Sequence, residues 1–329
     1  MITADMDNDN RSDIIVAGMS SNVLDILFND NGENFTVHTL NYSLGSSPYL
    51  ISAADVNNDQ QIDIVLLDDS LKIVVIFLNM GNRNFIETVT CSLDDDSNYL
   101  LIVDVNNDTF PDLIIAYNSK MSIGVRLNDG HGNFSVEEIV SHTGSKLNKM
   151  VTADLNNDAY EDLVGVVSAK NQIIVLFNMG NGSFVVATSF PTERYPQFVA
   201  VLDVNDDEQL DVIVLHALNN NFGIYVNNGT NTFLNAVLYP ANIGPGSLAV
   251  GDINGDGKAD LVVANYFFRK ISIFFRSDNE TFTRQMTYPM DINPVAVKLA
   301  DMNNDMQLDI IVAHENSVDI MYIDCRIND

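Results

Sequence analysis

The stretch Asp252-Ile253-Asn254-Gly255-Asp256-Gly257-Lys258-Ala259-Asp260-Leu261-Val262-Val263-Ala264 decides how this chain is read. Oxygen-bearing side chains stand at positions 1, 3, 5 and 9 of its first nine residues, and an apolar run rich in β-branched residues follows at once. The frame returns six more times. Its oxygen positions are Asp5, Asp7, Asp9 and Asp13, then Asp55, Asn57, Asp59 and Asp63, then Asp104, Asn106, Asp108 and Asp112. They continue with Asp154, Asn156, Asp158 and Asp162, Asp203, Asn205, Asp207 and Asp211, and finally Asp301, Asn303, Asp305 and Asp309. Successive closing aspartates are 49 or 50 residues apart. A fixed period in this range is the mark of a repeat architecture.

The remainder of each unit is as regular as its loop. A short apolar stretch such as Leu248-Ala249-Val250 precedes the loop, and a run such as Asp211-Val212-Ile213-Val214 follows it. After a variable tip comes another apolar run, Ile73-Val74-Val75-Ile76-Phe77-Leu78 in the second unit. Sixteen residues past the closing aspartate, Asn29, Asn79, Asn128, Asn178 and Asn227 open a Gly/Asn turn. Phe35, Phe85, Phe134, Phe184, Phe233 and Phe282 then begin a fourth segment. Short apolar runs bounded by Gly, Asn and Asp turns predict strands, and no segment predicts a helix. Four strands per unit make one propeller blade. The expected fold is all-β, a seven-bladed β-propeller of four-stranded blades forming a single domain over residues 1–329. Length variation falls in the links between units, such as 41–48 and 239–246. The seventh unit lacks its outer strand here, so a segment upstream of Met1 or downstream of Asp329 is expected to complete it, as part of a larger chain.

The loops carry the chemistry. Alternate oxygens turn inward around one centre when such a loop curls, and calcium takes six to eight oxygens, backbone carbonyls among them. Position 7 would offer its carbonyl, which suits the variety found there: Arg11, Gln61, Phe110, Tyr160, Gln209, Lys258 and Gln307. No Cys or His accompanies the loops, which disfavours zinc, and magnesium ranks second because it wants a tighter octahedron. Asp/Asn-rich turns also form without metal, since both residues favour turns. Seven in register argue for ligands. Only the sixth loop has glycine, Gly257, at position 6, where a sharp left-handed turn is needed; Asn10 is tolerable, and Gln60, Thr109, Ala159, Glu208 and Met306 are not ideal. Up to seven calcium ions are therefore expected, the sixth loop binding best.

Charge agrees with this reading. The chain has 45 acidic and 16 basic residues, a formal charge of −29. Three aspartates in each of seven loops, plus Asp7, account for 22 of those acids, and seven calcium ions would bring −29 to −15. Such a surface repels nucleic-acid phosphates and anionic lipid, and no apolar run is long enough to span a membrane. Two cysteines, Cys91 and Cys325, are too few for a disulfide framework.

The unit from Ala249 to Ala264 resembles the FG-GAP/VCBS repeat, which also builds the propeller of integrin α subunits, and the resemblance runs through all seven units. It implies calcium in the loop between the first and second strands of each blade. It also implies ligand binding at the opposite end, where the tips and inter-blade links gather. No signal peptide or anchor is present in this chain, yet the resemblance points to an extracellular or cell-surface protein that binds a protein or glycan, and not to an enzyme. A propeller-type polysaccharide lyase or hydrolase, with its site at the central mouth, is the alternative; a purely structural module of a larger secreted protein is another.

Other signals are sparser. His38, His131, His142, His216 and His314 fall at unrelated phases of the repeat and are expected at the surface or in turns. Tyr266-Phe267-Phe268-Arg269-Lys270, at the tip of the sixth unit, and Arg194-Tyr195, in the link after the fourth, are candidate partner-binding residues, because exposed aromatics and arginines make good interface anchors. Asn-X-Ser/Thr sequons at Asn34, Asn41, Asn107, Asn133, Asn181, Asn228 and Asn279 are consistent with glycosylation of a secreted protein.

Overall fold

The computed structural model describes residues 1–18, 22–42, 50–93, 95–229, 232–242, 244–277, 281–282 and 284–323. Every repeat becomes one antiparallel sheet with its strands in chain order. Blade one comprises Ile2–Ala4, Asp13–Ala17, Val23–Asn29 and Phe35–Asn41, and blade two Leu50–Ala54, Asp63–Asp68, Ile73–Asn79 and Phe85–Ser92. Blade three is Ser97–Val103, Asp112–Tyr117, Ser122–Arg126 and Glu138–His142; blade four is Lys149–Ala153, Asp162–Val167, Gln172–Asn178 and Phe184–Pro191. Blades five and six are Pro196–Leu202, Asp211–His216, Asn221–Tyr225 and Val237–Pro240, then Pro245–Gly251, Asp260–Asn265, Lys270–Phe275 and Arg284–Pro289. The seventh has three strands among the described residues, Ala296–Ala300, Asp309–Ala313 and Val318–Met321. This is a seven-bladed β-propeller. The only helices among the described residues are single 3-10 turns at Ser168–Lys170 and Tyr266–Phe268.

The chain forms two compact units, Met1–Leu147 with Asn178–Val185, and Asn148–Phe177 with Val186–Asp329. Inside the first, the first strands of blades one, two and three lie against one another in order; inside the second, those of blades four to seven do the same. The second strands of blades two to seven are buried end to end, as in Asp63–Asp68 and Asp260–Asn265. That explains their unbroken apolar runs. Ile64 and Leu66 pack toward blade one with Ile15, Ile26 and Phe28, while Val65 and Leu67 pack toward blade three with Leu113 and Ile115. A strand buried on both faces needs no polar alternation. Each such Val, Leu or Ile contributes about 1.5–3 kcal/mol through apolar burial, so the core of this protein sits between blades.

Three expectations fail at the outer edge, one of them at Phe282, which stands before the strand Arg284–Pro289. Phe134 and Phe233 do not open fourth strands; each makes one isolated bridge, to Asn128 and Asn227, and the strands begin at Glu138 and Val237. In both blades a glycine on the third strand leaves a gap that later residues of the chain fill. Glu137 closes over Gly124, while Ala236 and Leu238 close over Gly223 beside His216.

Candidate metal loops and blade tips

Within a blade, antiparallel order puts the loop between strands one and two at the same end as the turn between strands three and four. The tip between strands two and three lies at the other end, with the link to the next blade.

All seven loops share one hydrogen-bond frame. The position-1 carboxylate accepts the backbone N–H of positions 5 and 6; in loop two, Asp59 and Gln60 donate to Asp55 at 3.1 and 2.8 Å. The position-5 carboxylate accepts the N–H of position 7, as Gln61 to Asp59 at 2.8 Å. Two residues per loop take the left-handed conformation. Position 6 does so in every loop, from Asn10 and Glu208 at φ 64° to Gly257 at 83°. Position 4 does so as well, at Asn8, Asn58, Asn107, Asn157, Asp206, Gly255 and Asn304. The second of these went unread in the sequence, although a column of Asn, Asp and Gly is the signal for it.

The closing aspartate is built in more deeply than a surface ligand. Asp63 is fully buried; its Oδ2 accepts the N–H of Val56 at 3.0 Å and its Oδ1 that of Asn79 at 2.8 Å. Burial pushes Asp13, Asp63, Asp112, Asp211 and Asp260 up to about 6 from 3.8, against the downward pull of these two N–H bonds, and Asp309 is raised by the same cause. A carboxylate this short of compensation is receptive to a cation.

The asparagine sixteen residues on then ties the loop to its neighbour. Asn79 Nδ2 donates to the Met6 carbonyl of loop one at 2.7 Å, Asn128 to Val56 at 2.9 Å, Asn178 to Val105 at 2.8 Å and Asn227 to Leu155 at 3.2 Å. In blade six Arg276 holds this place, and its guanidinium donates to the Asp203 carbonyl at 3.2 Å. Side chains at position 7 reach the adjacent turn, and Arg11 also holds Asp9 of its own loop at 3.0 Å. Phe110 covers Gly130, whose φ of 78° and proximity to the ring leave no room for a Cβ, and Arg11 donates to the Asp30 carbonyl.

Do these oxygens fit a calcium ion? In the first loop, carboxylate oxygens of Asp5, Asp7 and Asp13 lie within 4.8 Å of one another, and Asp7 Oδ1 is buried without a hydrogen-bond partner. The donor set is oxygen only. In the other six loops the position-3 asparagine amide donates to the position-5 carboxylate, as Asn57 to Asp59 and Asn254 to Asp256, both at 3.0 Å. That bond holds together the two side chains a cation would bridge. The residues therefore fit a hard divalent ion.

At the tip end one backbone bond recurs. The carbonyl nine residues past the closing aspartate accepts an N–H from the following link: Leu93 to Lys72, Thr143 to Met121, Thr192 to Asn171, Ala241 to Asn220 and Met290 to Arg269. Side chains around it vary, from Lys72, Met121 and Arg269 to the asparagines Asn171 and Asn220, which also accept a link N–H through Oδ1. At blade six Phe267 is 74% exposed and Phe268 46%, so these rings do not pack between blades. Tyr266 donates to Glu315 at 3.0 Å and Arg269 to Asn293 at 2.9 Å, framing an open depression that Asp291 and Ile292 also line. Tyr195 is exposed in the link after blade four, its N–H bound to Asn171 Oδ1. Arg194 is exposed beside it.

The histidine reading needs correction. His216 and His314 are buried and share one phase of the repeat, five residues past the closing aspartate. His216 ends a second strand and His314 directly follows one; His216 Nδ1 meets Asn221 Oδ1 at 2.8 Å, and His314 meets the Asn293 carbonyl and Asp319. Sequence reading also missed Lys149 on a first strand. Burial, aided by the charge of Lys298, lowers its ammonium to about 8, and its Nζ sits 4.6 Å from the centre of the Phe198 ring. Asn34, Asn133, Asn181 and Asn228 are exposed in third-to-fourth-strand turns, Asn41 ends a fourth strand, and Asn107 sits in loop three; Asn279 and Cys325 lie outside the described residues.

Comparison with known proteins agrees with the repeat. The FG-GAP-like repeat matches residues 5–66, 55–115, 104–165, 154–214, 203–263 and 252–312, each match running from one loop through the next. The chain belongs to the FG-GAP-like repeat family. Among solved structures it is similar to an Agrocybe aegerita lectin studied for its recognition of non-reducing terminal N-acetylglucosamine, with a TM-score of 0.68, 19% identity, and 96% of this chain and 85% of that one covered. It is similar also to BBS1N solved in complex with ARL6DN, with a TM-score of 0.71, 13% identity, and 99% and 92% covered. A functionally unknown protein from Desulfotomaculum acetoxidans gives a TM-score of 0.60 at 13% identity, with 94% and 99% covered. At these identities the likeness is one of fold. No curated protein matches the chain.

Proposed function

We propose that this protein is a calcium-stabilised propeller that works outside the cell as a scaffold, presenting its blade tips to a protein or glycan. The observation that carries this reading is the seven-fold loop frame: oxygen donors alone, closing carboxylates pushed up by burial, and in loop one a buried aspartate oxygen with no partner. Three carboxylates and a neutral amide on an exposed loop suit the weak, roughly 10⁻⁴–10⁻³ M affinities of extracellular calcium modules. Exposed sequons at Asn34, Asn133 and Asn181 support the same compartment. The tip end, with Phe267, Phe268 and Tyr195 exposed among polar groups, is the surface suited to a partner. Related propellers bind a glycan or a protein partner, which favours the scaffold reading over an enzymatic one.

Calorimetric titration with calcium, together with thermal unfolding in excess calcium and in chelator, tests this. Several ions bound per chain and a midpoint many degrees higher in calcium are expected. No bound calcium and an unchanged midpoint would reduce the loops to turns.

A further inference from the structure

Two of the seven loops carry an aspartate where the others have asparagine or glycine at positions 3 and 4. These are Asp7 in loop one and Asp206 in loop five. Each meets an arginine from the following blade. Arg83 donates to Asp7 Oδ2 through Nε at 2.8 Å and to Asp30 through Nη2 at 2.9 Å, and its guanidinium lies 4.3 Å from the centre of the buried Phe28 ring. Arg276 donates to Asp206 Oδ1 at 2.9 Å and to the Asp203 carbonyl at 3.2 Å, with its side chain 5% exposed.

The substitution has a chemical consequence. Asp7 has no amide N–H to give to Asp9, so loop one lacks the bond that joins positions 3 and 5 in the other six. Arginine supplies the missing donors: Arg83 at Asp7, and Arg11 at Asp9 at 3.0 Å. In loop five, Arg276 stands where other blades place the asparagine that grips the preceding loop. It performs that task and neutralises the added carboxylate together.

We propose that Arg83 and Arg276 are resident counter-cations, which keep loops one and five formed and joined to the next blade without metal, whereas the remaining loops rely on calcium for charge compensation. Both are positioning residues, and the division of labour rests on the calcium reading above.

The test compares wild type, R83Q and D7N/R83Q, the double variant giving loop one the asparagine of the other loops. R276N and D206N/R276N form the parallel set. Thermal midpoints in chelator and in saturating calcium are the readout, with calcium stoichiometry from titration. R83Q is expected to lose roughly 2–4 °C more in chelator than in calcium, with D7N/R83Q recovering most of that loss and the stoichiometry unchanged. Equal losses in both conditions, or no recovery in the double variants, would mean ordinary packing contacts and overturn the proposal. A wild type indifferent to calcium would overturn the calcium reading and the division of labour with it, while recovery in D7N/R83Q would still show that the arginine neutralises Asp7.

Discussion

The two ends of each blade are built on opposite principles. At the loop end, side chains are nearly constant and make the structure: aspartates at positions 1, 5 and 9 satisfy backbone N–H groups within the loop, and an asparagine or arginine ties it to the next blade. At the tip end the constant element is a backbone bond from link to tip, and the side chains around it vary from Lys72 and Met121 to Arg269. A repeat protein needs each unit fastened to its neighbours. Where side chains do the fastening they are fixed in type; where backbone does it, they are free to diversify. The proposed recognition surface is at the second end.

The largest expected effect of breaking this contrast lies at a closing aspartate. Asp63→Ala would strip the buried N–H groups of Val56 and Asn79 of their acceptor. Two unsatisfied buried donors together with a small cavity cost about 3–5 kcal/mol. The unfolding free energy from denaturant titration should fall by that amount in chelator, and by more in calcium, because Asp63 is also one of the loop's candidate ligands. Asp59→Ala, at the exposed position 5, should cost under about 1 kcal/mol in chelator and act mainly through calcium. Similar losses for the two variants in chelator would erase the distinction between frame and ligand.

Much of this was legible in the sequence because the loop end repeats in side-chain identity. Aspartates 49 or 50 residues apart set the blade number, the strand order and the loop oxygens. Position 6 was read as strained at Ala159, Thr109 and Met306, and all three do adopt a positive φ. What sequence did not reveal is how that conformation is held: the N–H of position 6 is bonded to the position-1 carboxylate, as Ala159 to Asp154 at 2.8 Å. Late outer strands in blades three and five were invisible, because the cause is the space over Gly124 and Gly223 on a neighbouring strand. The phase shared by His216 and His314 was present in the chain but hidden by dissimilar residues at that position elsewhere, among them Asp68, Tyr117 and Asn265. Arg83 gave no sequence signal, since its partner Asp7 lies 76 residues away.

A smaller effect, shared among loops, is expected with pH. Closing aspartates at about 6 in the folded protein and 3.8 when unfolded bind more protons folded than unfolded between those values. Their contribution to stability is full below about pH 4 and is lost as pH rises through 6. In chelator, the unfolding midpoint should therefore decline by several degrees across that window and then level off. Saturating calcium should reverse the trend, because the ion competes with protons for the same carboxylates. A midpoint in chelator that rises through the window would show that these aspartates are not compensated as the fold implies.

The smallest effect on stability, and the sharpest on function, is expected at the tip of blade six. Phe267 is 74% exposed, and its ring contacts Gly244 and Tyr266 without entering the core between blades. Phe267→Ala should move the unfolding free energy by no more than about 0.5 kcal/mol, as surface substitutions do. An exposed aromatic anchor, by contrast, contributes about 2 kcal/mol or more to an interface when it is a hot spot. Binding of a protein or glycan ligand found by screening in calcium should then weaken roughly 30-fold, by the usual conversion of free energy to affinity, while melting stays unchanged. A ligand indifferent to Phe267→Ala yet lost on Asp59→Ala would move recognition to the loop end. It would also undo the contrast, since one set of side chains would then both fasten the blades and bind.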